Sequence, residues 1–353
     1  MRKELMIDGK KLSDKSDTYI IAEMSANHLH NLDRAKRIID VAKECGADAI
    51  KLQTYRPDTI TIDCRGPEFM ATPGSPWENM NLFELYKEAY TPWEWHGELM
   101  NYAKKVGITC FSSPFDLTAI DLLEELNVPA YKIASFELND IPLIKKAAMT
   151  GKPIIMSTGI ADMSDIELAL RTCKEAGNDK VILLKCVSEY PTPYEEINLR
   201  TLTNMSETFD CVVGVSDHSF GSAVAVAGVA LGARVIEKHL TLSRKDGGPD
   251  GTFSMEPQEF KNMVTDIRNV EKALGKVTYE LTEKQKKSKG RSRSLYVVSD
   301  IKKGEIFTPD NMRSIRPGYG LHTKYYKDII GKRASCDIKK GTAMKWNYVE
   351  DEE

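Results

Sequence analysis

Residues 211–240 read CVVGVSDHSFGSAVAVAGVALGARVIEKHL. Two short β-prone runs, CVVGVSD and ARVIEKHL, flank a segment of helical length, and a strand, helix, strand unit is how a parallel sheet is written. Moving outward, the same alternation recurs in YIIAEM (19–24), ADAIKLQTY (47–55), GITCFSSP (107–114), AYKIAS (130–135), KPIIMSTG (152–159) and KVILLKC (180–186), each followed by a helical segment. Eight βα units in roughly 250 residues match a (β/α)8 TIM barrel. An open doubly wound sheet usually has fewer strands and a Gly-rich first turn, and no G-x-G-x-x-G follows the first run here. In the helix after that run, Leu32, Ala35, Ile39 and Ala42 recur on one face, so this face packs on the barrel.

Ahead of the barrel, LMIDGKKL places Asp8-Gly9 between short β-prone runs and predicts a hairpin with a tight primed turn, capping one end. Behind it, EKQKKSKGRSRS (283–294) lacks large apolar residues and is dense in lysine and arginine, which reads as a solvated linker. A small module follows in which DIKKGEIFT (300–308) echoes DIKKGTAMK (337–345), a repeat that implies pseudo-twofold symmetry. The expected organisation is a barrel domain with its hairpin over 1–282, a basic linker over 283–293 and a small C-terminal domain over 294–353.

At 353 residues and 41% hydrophobic content the chain can bury one large core and still carry a second domain. A net charge of -3 supplies no global field for nucleic acid or anionic membrane, so neither is expected as a partner. The opening MRKELMIDGKKLSDKSD has no apolar core suited to a signal peptide, and no later run is long enough to span a bilayer, so a cytoplasmic location is expected. The 7 cysteines are scattered without a C-x-x-C spacing and read as reduced thiols, Cys186 lying nearest the polar strand ends.

Catalytic groups of such a barrel come from the C-terminal ends of its strands. Those ends carry Glu23, Lys51 and Gln53, Ser113, Lys132 and Ser135, Ser157, Lys185 with Ser188 and Tyr190, Ser216 and His218, and Glu237 and His239. Lysines inside apolar strand runs are costly unless paired, so Lys51, Lys132 and Lys185 at equivalent positions predict a local cationic pocket. Ser216 with His218, and Glu237 with His239, are each two apart on neighbouring strands, so both imidazoles can converge on one divalent ion. Two protein ligands fall short of a closed zinc site; positions left for water and substrate suit octahedral Mn²⁺, with Mg²⁺ or Co²⁺ as substitutes. Lysines and serines around a metal indicate metal-assisted chemistry on a phosphorylated small molecule.

IAEMSANH, ADAIKLQTY, FSSPFD, YKIAS, IIMSTG, EYPTP, GVSDHS and VIEKHLT, in this order, resemble the sialic acid synthase family, and the final module resembles its antifreeze-like (SAF, β-clip) domain. GSPWENMNLFELYKEAYTPWEWH (74–96) and RPGYGLH (316–322) resemble the branch that makes pseudaminic acid. The resemblance implies a transferase that condenses phosphoenolpyruvate with 2,4-diacetamido-2,4,6-trideoxy-L-altrose. In that reaction C3 of phosphoenolpyruvate attacks the aldehyde of the open-chain sugar, water adds at C2, and phosphate leaves by C–O cleavage. It also implies that His218 and His239 hold the metal with Glu237 beside them. Lys51, Ser113, Lys132, Ser135, Ser157 and Ser216 would bind phosphoenolpyruvate. Gln53, Tyr190 and Asp250 would meet the sugar or the metal, and Glu23 would handle a proton or orient water at C2. Where the family resembles H-C-T-N-x-Y-P, this chain has KCVSEYP, so Ser188 stands for an asparagine and Lys185 for a histidine, the lysine compensating in binding. Arg316 matches an arginine that reaches a partner subunit's active site and meets the sugar's N-acetyl group, which implies a domain-swapped homodimer. Synthesis of N-acetylneuraminic or legionaminic acid, a Schiff-base sugar-phosphate aldolase, and a non-enzymatic saccharide- or ice-binding protein are the competing readings.

Overall fold

The computed structural model describes residues 1–350 and divides into two compact units, Met1–Gly275 and Lys276–Glu353. The first opens with β1 (Glu4–Ile7) and β2 (Lys10–Ser13), paired antiparallel with Ile7 opposite Lys10. Asp8 and Gly9 turn the chain at φ 47° and 78°, the left-handed pair that a primed turn demands. Leu5, Ile7 and Leu12 enter the main core, and Asp8 accepts a hydrogen bond from Thr109 Oγ1 at 2.9 Å.

Eight parallel strands then close into a barrel: β3 (Tyr19–Glu23), β4 (Ala49–Thr54), β5 (Thr109–Pro114), β6 (Tyr131–Ile133), β7 (Ile154–Ser157), β8 (Val181–Lys185), β9 (Val212–Asp217) and β10 (Val235–His239), with β10 pairing back onto β3. Thr109, at the first position of β5, places the hairpin across the N-terminal end of the barrel, opposite the polar strand ends. Helices connect successive strands, and the first of them, Leu32–Glu44, shows why they form. Asn31 caps it by accepting from Arg34 N at 2.9 Å, and Ala35, Ile38, Ile39, Val41 and Ala42 are buried against the strands. Leu32, expected on that face, is only partly buried, while Ile38 and Val41 join it. Truncating Ile39 to alanine would cost about 2–5 kcal/mol.

The second unit starts at Lys276, earlier than the expected linker. Residues 283–289 are exposed, as a solvated connector requires, yet they form a helix, Glu283–Lys289. Thr282 and Gln285 nucleate it by reciprocal bonds, Gln285 N to Thr282 Oγ1 at 3.3 Å and Thr282 N to Gln285 Oε1 at 2.8 Å, a capping box that outweighs the poor apolar content. Beyond it, β11 (Ser294–Val297) and β12 (Met312–Ile315) pair antiparallel over a small core of Leu295, Val297, Phe307, Met312 and Ile329. The DIKKG repeats exchange partners. Asp337 accepts from Lys302 Nζ at 2.8 Å and Lys303 N at 2.9 Å, while Asp300 accepts from Lys339 Nζ at 2.7 Å and Lys340 N at 2.8 Å. Ile301 and Ile338 bridge the two halves, so the sequence repeat is a structural pseudo-twofold. No helix among the described residues is long and apolar enough to cross a membrane.

Candidate active site

One buried lysine gathers the C-terminal ends of the barrel strands. Lys51 Nζ, on β4, stands 3.0 Å from Glu23 Oε2 on β3, 3.0 Å from Glu237 Oε1 on β10 and 3.4 Å from Ser113 Oγ on β5. The register brings this about, since Glu23 lies opposite Lys51 across β3 and β4 and opposite His239 across β10 and β3. Lys132, on β6, comes within 3.8 Å of the same Glu237 oxygen, to which Ser216 donates at 3.1 Å. All four ionisable groups are buried, so their charges are set by one another rather than by water.

Those charges separate sharply. Burial would lift Glu237, but Lys132 and Lys51 outweigh it and hold the carboxylate at about 2. Glu23, on which burial prevails over Lys51, is pushed up to about 7. Burial also drags Lys132 down to about 8 against the pull of Glu237, whereas Lys51, between two carboxylates, is held above its ordinary value despite burial. Two carboxyls whose environments drive them apart are the signature of a fixed charge beside a proton carrier.

The next strands supply donors without acceptors. Ser157 Oγ and Ser188 Oγ are buried and unpartnered, and Ser135 Oγ accepts from Gly159 N at 3.0 Å. Gly159 is required for that crowding, because a β-carbon there would lie 2.2 Å from Ser188 Oγ and 2.8 Å from Ser135 Oγ. Unpaired hydroxyls at and just past the strand ends, beside a buried ammonium, are the makings of an anion cradle. Lys185 does not join it. Strand alternation turns Cys186 inward, its Sγ 3.8 Å from His218 Nδ1, and leaves Lys185 Nζ donating to the Cys186 carbonyl at 3.0 Å beside Ile197 and Val224. Next to His218, the Cys186 thiol is held at about 7 although burial would raise it.

The ring centroids of His218 and His239 are 5.3 Å apart. His218 Nδ1 lies 3.1 Å from the Val187 carbonyl, which places a proton on Nδ1, and although burial would lower the imidazole, Cys186 and the Val187 carbonyl hold it above its ordinary value. Burial, reinforced by His218, keeps His239 well below its ordinary value and therefore neutral, and its Nδ1 is buried without a partner. Among the described residues no cluster of three His, Cys, Asp or Glu ligands forms around them. A neutral His239 with an orphaned nitrogen, converging with a His218 that an ion would relieve of its proton, fits a divalent ion whose other positions stay open to water and substrate.

Around the histidines stands an aromatic wall. Tyr190 lies 4.3 Å from His218 and 5.1 Å from Phe253, Trp77 lies 5.5 Å from Tyr190, and Phe253 lies 5.1 Å from His239, all between ring centroids. Trp77 Nε1 donates to the Pro249 carbonyl at 2.8 Å, which ties the loop after β4 to the loop after β10 that carries Asp250. Asp250 Oδ2 accepts from Ser25 Oγ and from Ala26 N, and Gln53 Nε2 donates to Glu23 Oε1 at 3.1 Å. Arg316 is exposed on the turn after β12 of the second unit.

Three site residues escaped the sequence reading. Glu137, two residues past Ser135, is pushed up to about 7 by burial, and its Oε2 is buried without a partner. It obeys the strand-end rule that found its neighbours, but sits one turn further into the loop. Phe253 and Ser25 carry no chemical label of their own, and only the fold brings them to Trp77 and Asp250.

The NeuB family profile matches residues 38–279 and the SAF domain profile matches residues 292–350. The chain is 46% identical over 327 residues to the pseudaminic acid synthase of Campylobacter jejuni strain 81-176, covering 93% of this chain and 95% of that one. It is 44% identical over 332 residues to the pseudaminic acid synthase of Helicobacter pylori, covering 94% and 97%. Among solved structures, the N-acetylneuraminic acid synthetase of Leptospira borgpetersenii, in complex with citrate, superposes with a TM-score of 0.72 at 32% identity, covering 81% of this chain and 94% of that one.

Proposed function

The chain belongs to the NeuB family, and from that premise we propose that it is a transferase condensing phosphoenolpyruvate with 2,4-diacetamido-2,4,6-trideoxy-L-altrose to give pseudaminic acid and phosphate. The observation that carries the chemistry is the buried group of Lys51 between Glu23 and Glu237, with the unpartnered hydroxyls of Ser157, on β7, and Ser188, just past β8, beyond it. Ammonium groups and hydroxyl donors without acceptors call for a phosphate- and carboxylate-bearing substrate, and phosphoenolpyruvate has both.

Lys132, Ser135, Ser157 and Ser188 hold its anionic groups, and Lys51 with Ser113 fixes the end nearest the carboxylates. His218 and His239 would hold a divalent metal, Mn²⁺ first and Mg²⁺ or Co²⁺ as substitutes, which supplies Lewis acidity to the aldehyde oxygen of the open-chain sugar. C3 of phosphoenolpyruvate attacks the aldehyde carbon, the carbonyl π pair moves onto the aldehyde oxygen, and positive charge develops at C2. Glu237, ionised throughout, faces the developing charge. Glu23 lies close to neutral pH and takes a proton as water adds at C2. The C2–O bond then breaks, phosphate departs with its bridging oxygen as the C2 hydroxyl becomes the ketone, and of the two protons that water brought one ends on the former aldehyde oxygen and one on phosphate.

Gln53, Asp250 and Tyr190 line the sugar side. Arg316 completes the reading: it meets the sugar's acetamido group in a second subunit, and the working form is a homodimer with exchanged SAF units. Phosphate release from phosphoenolpyruvate with the altrose derivative, together with the mass of the nine-carbon product, tests the proposal. Absence of both with every acetamido sugar tried would overturn it.

A further inference from the structure

Ser25 follows β3 with φ 45°, in the left-handed region where a β-carbon is unfavourable, and it is only 4% exposed. A serine held there needs a reason. Its hydroxyl donates to Asp250 Oδ2 and accepts from Gln53 Nε2 at 2.9 Å. Gln53 spends its other amide hydrogen on Glu23 Oε1 at 3.1 Å. Both hydrogens of the amide are therefore used inside the protein, which fixes the side chain the one way round. Gln53 Oε1 and Asp250 Oδ1 then carry no protein hydrogen bond and, unlike Glu237 Oε2, are not sealed from solvent.

We propose that Ser25 is a positioning residue for the sugar: it locks Gln53 and Asp250 so that each turns a bare acceptor oxygen toward two donor groups, hydroxyl or amide N–H, of the acceptor substrate. This rests on the reading of the site as one that takes an open-chain acetamido sugar. The placement suits that end of the substrate. Asp250 shares its loop with Phe253, and Trp77 is tied to Pro249 in the same loop, so the acceptors stand where the aromatic wall begins. The anion cradle on β6 to β8 takes no part in this relay, which runs from Glu23 through Gln53 and Ser25 to Asp250.

Strain and recognition separate by substitution. Ser25→Gly removes the β-carbon that disfavours the conformation together with the hydroxyl, whereas Ser25→Ala removes the hydroxyl and keeps the strain. In the full-length enzyme, Ser25→Gly should unfold at the same temperature or higher, yet its KM for the acetamido sugar should rise about tenfold, the loss of one buried hydrogen-bond link. Its KM for phosphoenolpyruvate should not move. Ser25→Ala should show the same rise in sugar KM with a lower unfolding temperature. A wild-type sugar KM in Ser25→Gly, or equal rises in both KM values, overturns the assignment while leaving the proposed reaction standing. A wild-type enzyme that releases no phosphate with any acetamido sugar overturns both.

Discussion

Lys51 Nζ and Glu237 Oε1 meet at 3.0 Å although β3 lies between their strands, and both side chains are buried. Removing the ammonium leaves Glu23 facing Glu237 without its close partner, and Glu237 with Lys132 alone, 3.8 Å away. Breaking a buried pair from one side costs about 3–5 kcal/mol. Lys51→Met should therefore lose that much unfolding free energy in denaturant and release no measurable phosphate. Adding Glu237→Gln should recover part of the stability and none of the turnover, since the second carboxylate is then neutral but the site lacks both charges. A stable, active Lys51→Met protein would contradict the assignment.

Lys132 sets an upper pH limit. Glu237 and Glu23 favour its charge while Lys51 opposes it, and burial brings the free enzyme's ammonium to about 8. As pH rises through that value the cradle loses its cation, so kcat/KM for phosphoenolpyruvate should fall above pH of about 8. Bound phosphate favours the charged lysine, so kcat should hold to higher pH than kcat/KM. Lys132→Arg, which cannot deprotonate in this range, should flatten the limb even if its rate is lower. An unchanged limb in that variant would assign the pH dependence to another group.

The barrel was legible because its signals are local: eight β-prone runs, a primed turn at Asp8-Gly9, and polar residues at strand ends two apart. Lys51, Lys132 and Glu237 announced themselves as charges inside apolar runs. Lys185 misled for the same reason, because strand alternation has period two and a one-residue step puts Cys186 on the inner face in its place. Ser25 and Phe253 could not be read at all. Their significance lies in contacts across more than 150 residues of chain, Ser25 to Asp250 and Phe253 to Trp77, which no periodicity encodes. The helix Glu283–Lys289 was hidden because one capping box overrode a composition that reads as linker.

A divalent ion should bind at about one per chain and depend on both imidazoles. Calorimetric titration with Mn²⁺ should give a single site in the wild type, greatly weakened in His218→Ala and in His239→Ala. Chelation should stop phosphate release and Mn²⁺ should restore it. Full activity of His239→Ala in exhaustively chelated buffer would remove the metal from the mechanism.

Arg316 is expected to serve a second subunit. Mixing Arg316→Ala chains with chains inactivated at Lys51 tests this, because a mixed dimer with exchanged SAF units has one site in which both residues are intact. Turnover should return after subunit exchange, to at most about half of the wild-type rate per dimer. Verified mixed dimers that stay inactive would confine the arginine to its own chain or take it out of the reaction.

The choice of sugar should rest on Trp77, Phe253 and Tyr190. The altrose derivative has a methyl at C6 and a second acetamido group where N-acetylmannosamine carries hydroxyls, so it asks for apolar surface. Trp77 and Phe253, 6.4 Å apart between ring centroids, provide that surface beside the imidazoles, and the Trp77 indole is held in place by Pro249. Trp93 and Trp95 of the same region do not contribute, since Trp93 Nε1 bonds to the Tyr55 carbonyl at 3.0 Å and Trp95 packs on His28. A pocket of this kind gains about 1–3 kcal/mol per methyl-sized group, so kcat/KM should favour the deoxy sugar over N-acetylmannosamine by roughly 10- to 200-fold. A hydroxyl buried against the wall without a partner would widen the gap. Trp77→Ala and Phe253→Ala should each narrow the ratio mainly by slowing the deoxy sugar, with the KM for phosphoenolpyruvate unchanged. If the wild type instead prefers N-acetylmannosamine, or the D-manno precursor of legionaminic acid, the wall does not select a 6-deoxy sugar of altrose configuration. The pseudaminic assignment then falls, while membership of the family stands.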